Sequence, residues 1–455
     1  MDTEATAALV LRALEDTKNK NAAPDPDDIT DQEIAERKKR YQLCMPDFPE
    51  LPAGFFKDYM DFGIRMSYAI PEYHFASILA VLSNVIGRKV MMQSTNQTVY
   101  CNVNVCLIGE TTISGKSTAC DLAVNNFFGL VHQEGLIEML PKKNSPQSVI
   151  QRLAKVPNRL WYYDECSEFF EDAGSQWGST LESILCSLYD GRPVSYGLSE
   201  GKGKVDEYKV ENVFLSCLWN TTTSEIERHA NYRSFSNGFY PRIMWFWNFK
   251  QNIPRKNRAM DEDDWKARTD IETKIQRLRS ILMRVSDNMI VFQPSDVIED
   301  WKINSDLSHL EKEHEKYRVA TGRLFGHAYK LSMMFSLMDA DLQSVIDGGV
   351  FPKYLKIPDD HAKMAVKICD EYLRSRILYL ADLCESNQTK SGQDIIIKTL
   401  KKHDGVATKS ELLCGTRIKS KVMDELLGTL EEAGRVRIDT KHESTKPVMV
   451  VSLSS

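Results

Sequence analysis

The stretch YCNVNVCLIGETTISGKST, residues 100–118, decides the fold. Its first half is apolar and β-branched and, with Val99, predicts a strand over 99–108 bounded by Gly109. Its second half, Gly109-Glu-Thr-Thr-Ile-Ser114-Gly115-Lys116-Ser117-Thr118, supplies the parts of a phosphate-binding loop. In such a loop, backbone N–H groups and a helix N-terminus point at phosphate oxygens, and a lysine reaches the β- and γ-phosphates. The hydroxyl after that lysine meets magnesium. Residues 110–114 separate the two glycines, one residue more than the standard spacing. A helix is predicted over 118–128, so the local order is strand, glycine loop, helix. ATP and Mg2+ are the expected ligands, with Gly109, Ser114, Gly115, Lys116, Ser117 and Thr118 around the phosphates.

Downstream, Leu160-Trp-Tyr-Tyr-Asp164-Glu165 reads as a short apolar strand ending in two acids. Asp164 is placed at the metal and Glu165 at the attacking water. Residues 210–218 form another apolar strand, followed by Trp219 and then Asn220-Thr-Thr-Thr223. Asn220 is either a sensor of the γ-phosphate or a turn and capping residue. Arg242 stands just before a β-rich run over 243–247. It is either a finger completing the site of a neighbouring subunit or a salt-bridge residue. Between the acids and Asn220, Val194, Tyr196 and Leu198 alternate and Gly201-Lys202-Gly203-Lys204 makes a turn, which reads as a hairpin. Lys202 and Lys204 at its tip are candidates for contact with a nucleic-acid backbone, or simply a soluble tip.

Working outward, residues 73–87 read as a buried helix ending at glycine and 90–94 as a strand. Alternation of strands and helices through the centre predicts an α/β, three-layered, mostly parallel sheet. From 261 the pattern turns helical, over 263–284, 294–319, 323–340 and 359–385. Residues 394–453 read helix, helix, helix, strand, strand, the order of a winged helix-turn-helix. Lys419 and Lys421 would open its recognition helix, with Lys441 and Lys446 on the wing, for contact with DNA or docking of protein. The expected boundaries are a polar tail over 1–45, a helical N-terminal region over 46–88, an ATPase core over 89–260, a helical lid over 261–388 and the winged helix over 389–455.

Length alone, 455 residues, implies two to four domains. The chain has ten scattered cysteines and no CxxC pair, which argues against disulfides and zinc. Without an apolar leader or a long apolar span, a cytoplasmic location without membrane contact is expected. A net charge of −6 argues against a surface coated for nucleic acid, though not against a local basic strip.

Taken in order, these motifs resemble an AAA+ ATPase of the branch with a hairpin before the sensor strand, which includes the MCM and superfamily III helicases. The chain is most similar to a family of helicase/primase-like P-loop ATPases of phages, plasmids and integrated elements. The likeness begins near Gly87-Arg-Lys-Val and continues through Tyr100-Cys-Asn-Val-Asn-Val, Ser114-Gly-Lys-Ser-Thr118, Asp164-Glu165 and Leu188-Tyr-Asp-Gly191. It ends around Lys330-Leu-Ser-Met-Met. The resemblance implies Lys116 and Ser117 at phosphate and metal, Asp164 and Glu165 at metal and water, Asn220 as sensor and Arg242 as a finger acting in trans. It further implies Arg323 as a second sensor at the nucleotide, opening a lid helix. The activity implied is ATP-driven helicase or translocase action by a ring, expected to be a hexamer, on single-stranded DNA in its pore, with any primase a separate partner. The alternative is a DNA-binding scaffold or helicase loader switched by ATP.

Overall fold

The computed structural model describes residues 45–95, 97–110, 114–172, 176–200, 204–248, 258–287, 290–310, 315–339, 354–416, 418–443 and 446–453. They fall into two compact units, Pro46–Ala381 and a smaller one containing Asp382–Ser455.

The larger unit is mixed α/β. Its strands in chain order are β1 Val90–Gln93, β2 Thr98–Tyr100, β3 Asn104–Ile108, β4 Ile137–Met139, β5 Asn158–Tyr163, β6 Val194–Glu200, β7 Lys204–Val210, β8 Phe214–Thr221, β9 Met244–Trp247 and β10 Ile290–Phe292. Five of them form one parallel sheet in the order β4-β5-β8-β3-β9. Parallel strands need both faces covered, and their sequences read as continuous apolar runs for that reason. All eight residues of β8 and all five of β3 are buried.

One face packs on the helix Pro71–Ile86, of which fourteen of sixteen residues are buried. Leu160, Val105, Leu107, Leu218, Met244 and Phe246 meet it there in a single core. Strand alternation sends Trp161, Trp219 and Trp245 to the other face, where they join Phe169, Phe170, Phe239 and Tyr240 in an aromatic layer. The helix ends at Gly87, whose φ of 55° is the left-handed conformation that glycine adopts cheaply.

The expected strand over 99–108 is two strands in two sheets. β2 pairs antiparallel with β1, which pairs parallel with β10, while β3 joins the central sheet. The break falls at Asn102, whose side chain and carbonyl are taken by other elements rather than by a ladder. β4 and β10, three residues each, carry too few alternations to stand out from sequence. The helix after the glycine loop starts earlier than expected, at Lys116, and passes from Lys116–Ala123 into a π-helical turn over Val124–Phe128. The boundaries expected at 88/89 and 260/261 do not separate compact units, because helices such as Phe55–Met66 and Glu262–Leu282 share one core with the sheet.

In the smaller unit, the boundary expected at 388/389 lies inside the single helix Arg374–Lys402. Its last turns bury Ile396 and Leu400 against Leu412, Met423, Leu427 and Leu430 from helices Lys409–Thr416 and Ser420–Glu432. Strands β11 Val406–Thr408, β12 Val436–Glu443 and β13 Lys446–Leu453 form an antiparallel sheet in the order β11-β13-β12, of which β11 was unforeseen. Among the described residues no helix is long and apolar enough to cross a membrane.

Candidate functional site

The C-terminal ends of β3, β5 and β8 converge on one cluster. After Ile108 the chain turns at Gly109, where an added Cβ would lie 2.5 Å from Tyr73 Oη and 2.8 Å from Ser114 Cβ. Tyr73 in turn donates to the Ile108 carbonyl at 2.5 Å, so the root of the loop is clasped from the helix beneath the sheet. Gly115 caps the next helix with φ 73°, and its Cβ would fall 2.8 Å from the Ala69 backbone. Both glycines are therefore required by space, and Gly115 also by conformation. Residues 111–113 of the loop lie outside the described residues.

Lys116 is buried and folds back over the loop. Its Nζ donates to Gly109 O at 2.7 Å, Ser114 Oγ at 3.1 Å and Glu110 O at 3.2 Å. Burial holds the ammonium below the ordinary lysine value, against the pull of Glu165, Glu110 and Asp164. A cation held by neutral oxygens, with carboxylates farther off, is poised for a stronger anion. Thr118 stands half-buried in the first turn.

Three motifs meet on one oxygen. Ser117 Oγ donates to Asp164 Oδ1 at 2.9 Å, and Asn220 Nδ2 donates to the same atom at 2.6 Å. Asn220 is 1% exposed, and its Oδ1 accepts the backbone N–H of Glu165 at 2.8 Å. Glu165 sits at φ 58°, a left-handed conformation rarely adopted by a residue with a side chain. Asn220 thus orders both acids, and the carbonyl of the same residue accepts from Cys166 N at 2.8 Å. Loss of water around the Glu165 carboxyl raises its pKa, with Lys116 opposing and Asp164 adding to the rise. A raised pKa makes the carboxylate the stronger base.

The donor set suits magnesium. The Ser117 hydroxyl and Asp164 carboxylate are adjacent hard oxygens beside Lys116, and Mg2+ characteristically takes one or two protein oxygens while phosphate and water complete its shell. No cluster of three or more His, Cys, Asp or Glu suited to a metal occurs among the described residues, and the described cysteines are free.

Arg242 and Arg323 are brought together elsewhere. Arg242 is buried and forks onto Asp190, Nε to Oδ1 at 3.1 Å and Nη2 to Oδ2 at 2.8 Å, with Nη1 on Gly238 O at 2.8 Å. Arg323, in the turn before helix Leu324–Asp339, approaches the same carboxylate at 3.6 Å. Arg242 precedes β9, whose Met244 pairs with Val105 near the start of β3, whereas the glycine loop follows the end of β3. With about 3.3 Å per strand residue, roughly 13 Å of sheet separates the two places. Arg323 therefore belongs with Arg242 and not with the loop of its own chain.

Asp190, Tyr73 and Lys330 are the residues that motif reading passed over. Lys330 is buried, with Nζ donating to Asn102 O at 2.7 Å, Asn102 Oδ1 at 2.8 Å and Tyr100 O at 3.0 Å, over the Tyr189 ring. Asp190 and Lys330 are visible in sequence only as parts of Leu188-Tyr-Asp-Gly191 and Lys330-Leu-Ser-Met-Met.

The hairpin β6–β7 is formed as expected, paired from Val194↔Val210 to Glu200↔Lys204, and lies against helix Pro146–Lys155. Lys202 at its tip lies outside the described residues, as does the side chain of Lys204. Lys419 and Lys421 are exposed at the start of helix Ser420–Glu432. Lys441 and Lys446 stand on β12 and β13, their side chains outside the described residues. No family model matches the chain, and no curated protein matches it.

Proposed function

We propose that the protein is an ATP-hydrolysing P-loop motor of the AAA+ type that acts on single-stranded DNA. The observation that carries this reading is the convergence of Ser117, Asp164 and Asn220 on one carboxylate oxygen next to Lys116. A phosphate loop, an acid pair and a polar strand tip have no structural need to meet in one place, whereas hydrolysis of a bound triphosphate needs all three. The sheet order supports it, since β8 with Asn220 lies between the loop strand β3 and the acid strand β5.

Lys116 leaves its loop carbonyls for the β- and γ-phosphates, and the helix that starts there turns its free N–H groups toward them. Ser117 and Asp164 would hold Mg2+, which supplies neutralisation of phosphate charge. Glu165 accepts a proton from the attacking water, and Asn220 keeps that carboxylate aimed by holding its backbone N–H.

The hairpin β6–β7 is the element proposed to touch the DNA strand, and Asp382–Ser455 a winged helix with Lys419 and Lys421 on its recognition helix. Self-association into a ring is proposed because Arg242 lies too far from its own loop to reach the nucleotide it would serve. The decisive experiment is Lys116→Ala in the full chain. ATP turnover should fall to background, together with stimulation by an oligothymidylate single strand. Undiminished turnover would sink the assignment, and ATP-dependent DNA binding without turnover in the wild-type protein would favour the switched scaffold.

A further inference from the structure

At the opposite end of the sheet from the glycine loop, Arg242, Arg318 and Arg323 line a cavity of about 430 Å³, with Gly238 and Gly322 at its wall. Gly238 has φ 81°, and a Cβ there would press on Arg242 Nη1 at 2.7 Å, so glycine leaves that donor its room. Among the described residues, the carboxylate that reaches Arg242 and Arg323 is Asp190. Arg242 and Arg323 share that one carboxylate, and planar guanidinium forks match the oxygens of a phosphate group. Burial works against ionisation of Asp190, but the hydrogen bonds and charge of Arg242, backed by Arg323 and Arg192, outweigh it and hold the carboxyl below the ordinary aspartate value.

Asp190 also stands at the root of the hairpin. Only Gly191, Arg192 and Pro193 separate it from Val194, the first paired residue of β6. On its other side the chain is pinned. Tyr189 Oη lies 2.8 Å from His327 Nδ1, and the Leu188 and Tyr189 carbonyls accept from Asn102 Nδ2. Beyond the far strand, Val213 O accepts from Arg88 at 3.2 Å. Between a fixed Tyr189 and the hairpin lies the segment 190–193, where the backbone N–H groups of Asp190, Gly191 and Arg192 donate to the Cys186, Leu188 and Ser187 carbonyls. Asp190 is held in addition through its side chain by the arginines, Arg192 adding a 3.8 Å approach from within.

We infer that Asp190 relays anion binding in this cavity to the hairpin: a phosphate group that takes the donors of Arg242 and Arg323 releases the Asp190 side chain and leaves the hairpin root held by its backbone bonds alone. A phosphate dianion is the stronger partner for a paired guanidinium, and Asp190 is near enough to the surface for water to receive it. The relay rests on the proposed function only in giving the hairpin a nucleic-acid partner; its contacts stand apart from that.

The test uses the full chain carrying Lys116→Ala, so that added anion is kept from the glycine loop, with inorganic tripolyphosphate as probe. Hydrogen exchange of the amides of Val194–Glu200 and Lys204–Val210 should speed at least fivefold on saturation. With Asp190→Asn added, exchange should be fast from the start and indifferent to the probe. The charge-neutral pair Asp190→Asn with Arg242→Gln, which removes both partners of the buried ion pair, should be equally indifferent should the single variant fold poorly. Exchange unchanged by the probe, or a response surviving in either variant, overturns the relay. Replacing the probe by ATP-loaded Glu165→Gln chains distinguishes a phosphate presented by a second copy from a free one. In turnover assays, Asp190→Asn should lose at least fivefold of the stimulation by oligothymidylate while its nucleotide affinity stays within twofold. Full stimulation in that variant overturns the relay and leaves the motor reading intact. Absence of stimulation in the wild-type protein fells the DNA reading, and the exchange result then decides the relay alone.

Discussion

Replacing Asn220 by alanine tests the core of the site, because stability and chemistry should respond differently. The side chain makes a charge-assisted bond to Asp164 and accepts the Glu165 N–H. At 1% exposure neither bond is replaced by water. The first is worth about 2 kcal/mol and the second about 1 kcal/mol. Against this, Glu165 is freed to leave its left-handed conformation at φ 58°, returning about 1 kcal/mol of strain. The net loss for Asn220→Ala is then about 2 kcal/mol, read as a shift of the urea midpoint at constant slope. In a Glu165→Gly background no strain remains to be released, so the same substitution should cost about 3 kcal/mol, a non-additivity of about 1 kcal/mol. Nucleotide affinity, set by the loop, should change less than about threefold, while kcat falls on the order of 100-fold as the acid pair loses its alignment. Stability within about 0.5 kcal/mol of wild type together with kcat within about twofold would refute the claim that Asn220 organises the acids.

Gly115→Ala should abolish binding of a fluorescent ATP analogue and lower stability by about 1–3 kcal/mol, since the methyl meets the Ala69 backbone at 2.8 Å and φ is 73°; unaltered affinity would show that the helix does not start as described. His327 makes stability fall on acidification. Its burial, with Lys330, Arg323 and Arg242 nearby, lowers its pKa from 6.5 to about 3, so below pH 6.5 the unfolded chain binds the proton and the folded one does not. The contribution is whole above pH 6.5 and lost progressively toward pH 3, amounting to about 2 kcal/mol at pH 5. His327→Gln should flatten the stability profile between pH 7 and 5 by that amount in urea titrations, and an equal slope in both proteins would contradict it.

Local pattern was enough for much of this molecule. A β-branched run, a glycine turn and a Gly-Lys-Ser-Thr sequence specify strand, loop and helix through neighbouring residues alone. The same is true of the apolar strand before Asp164 and of the alternating hairpin. Such signals depend on periodicity and turn chemistry, which any short window contains. The break at Asn102 was not legible, because what ends the strand there is Lys330, more than two hundred residues away, drawing on the Asn102 carbonyl. Nor was the length of helix Arg374–Lys402, since nothing within 386–393 obliges a helix either to stop or to continue.

From sequence, then, came the parts of the candidate site and their order along the chain, because each part is a local motif. Only the tertiary structure decided where the arginines go. Arg242 and Arg323 have indistinct local surroundings, and their place is set by a shared carboxylate, Asp190, reached from distant segments. A buried charge must find its counter-ion wherever the packing of the whole unit delivers one, and that pairing leaves no local trace.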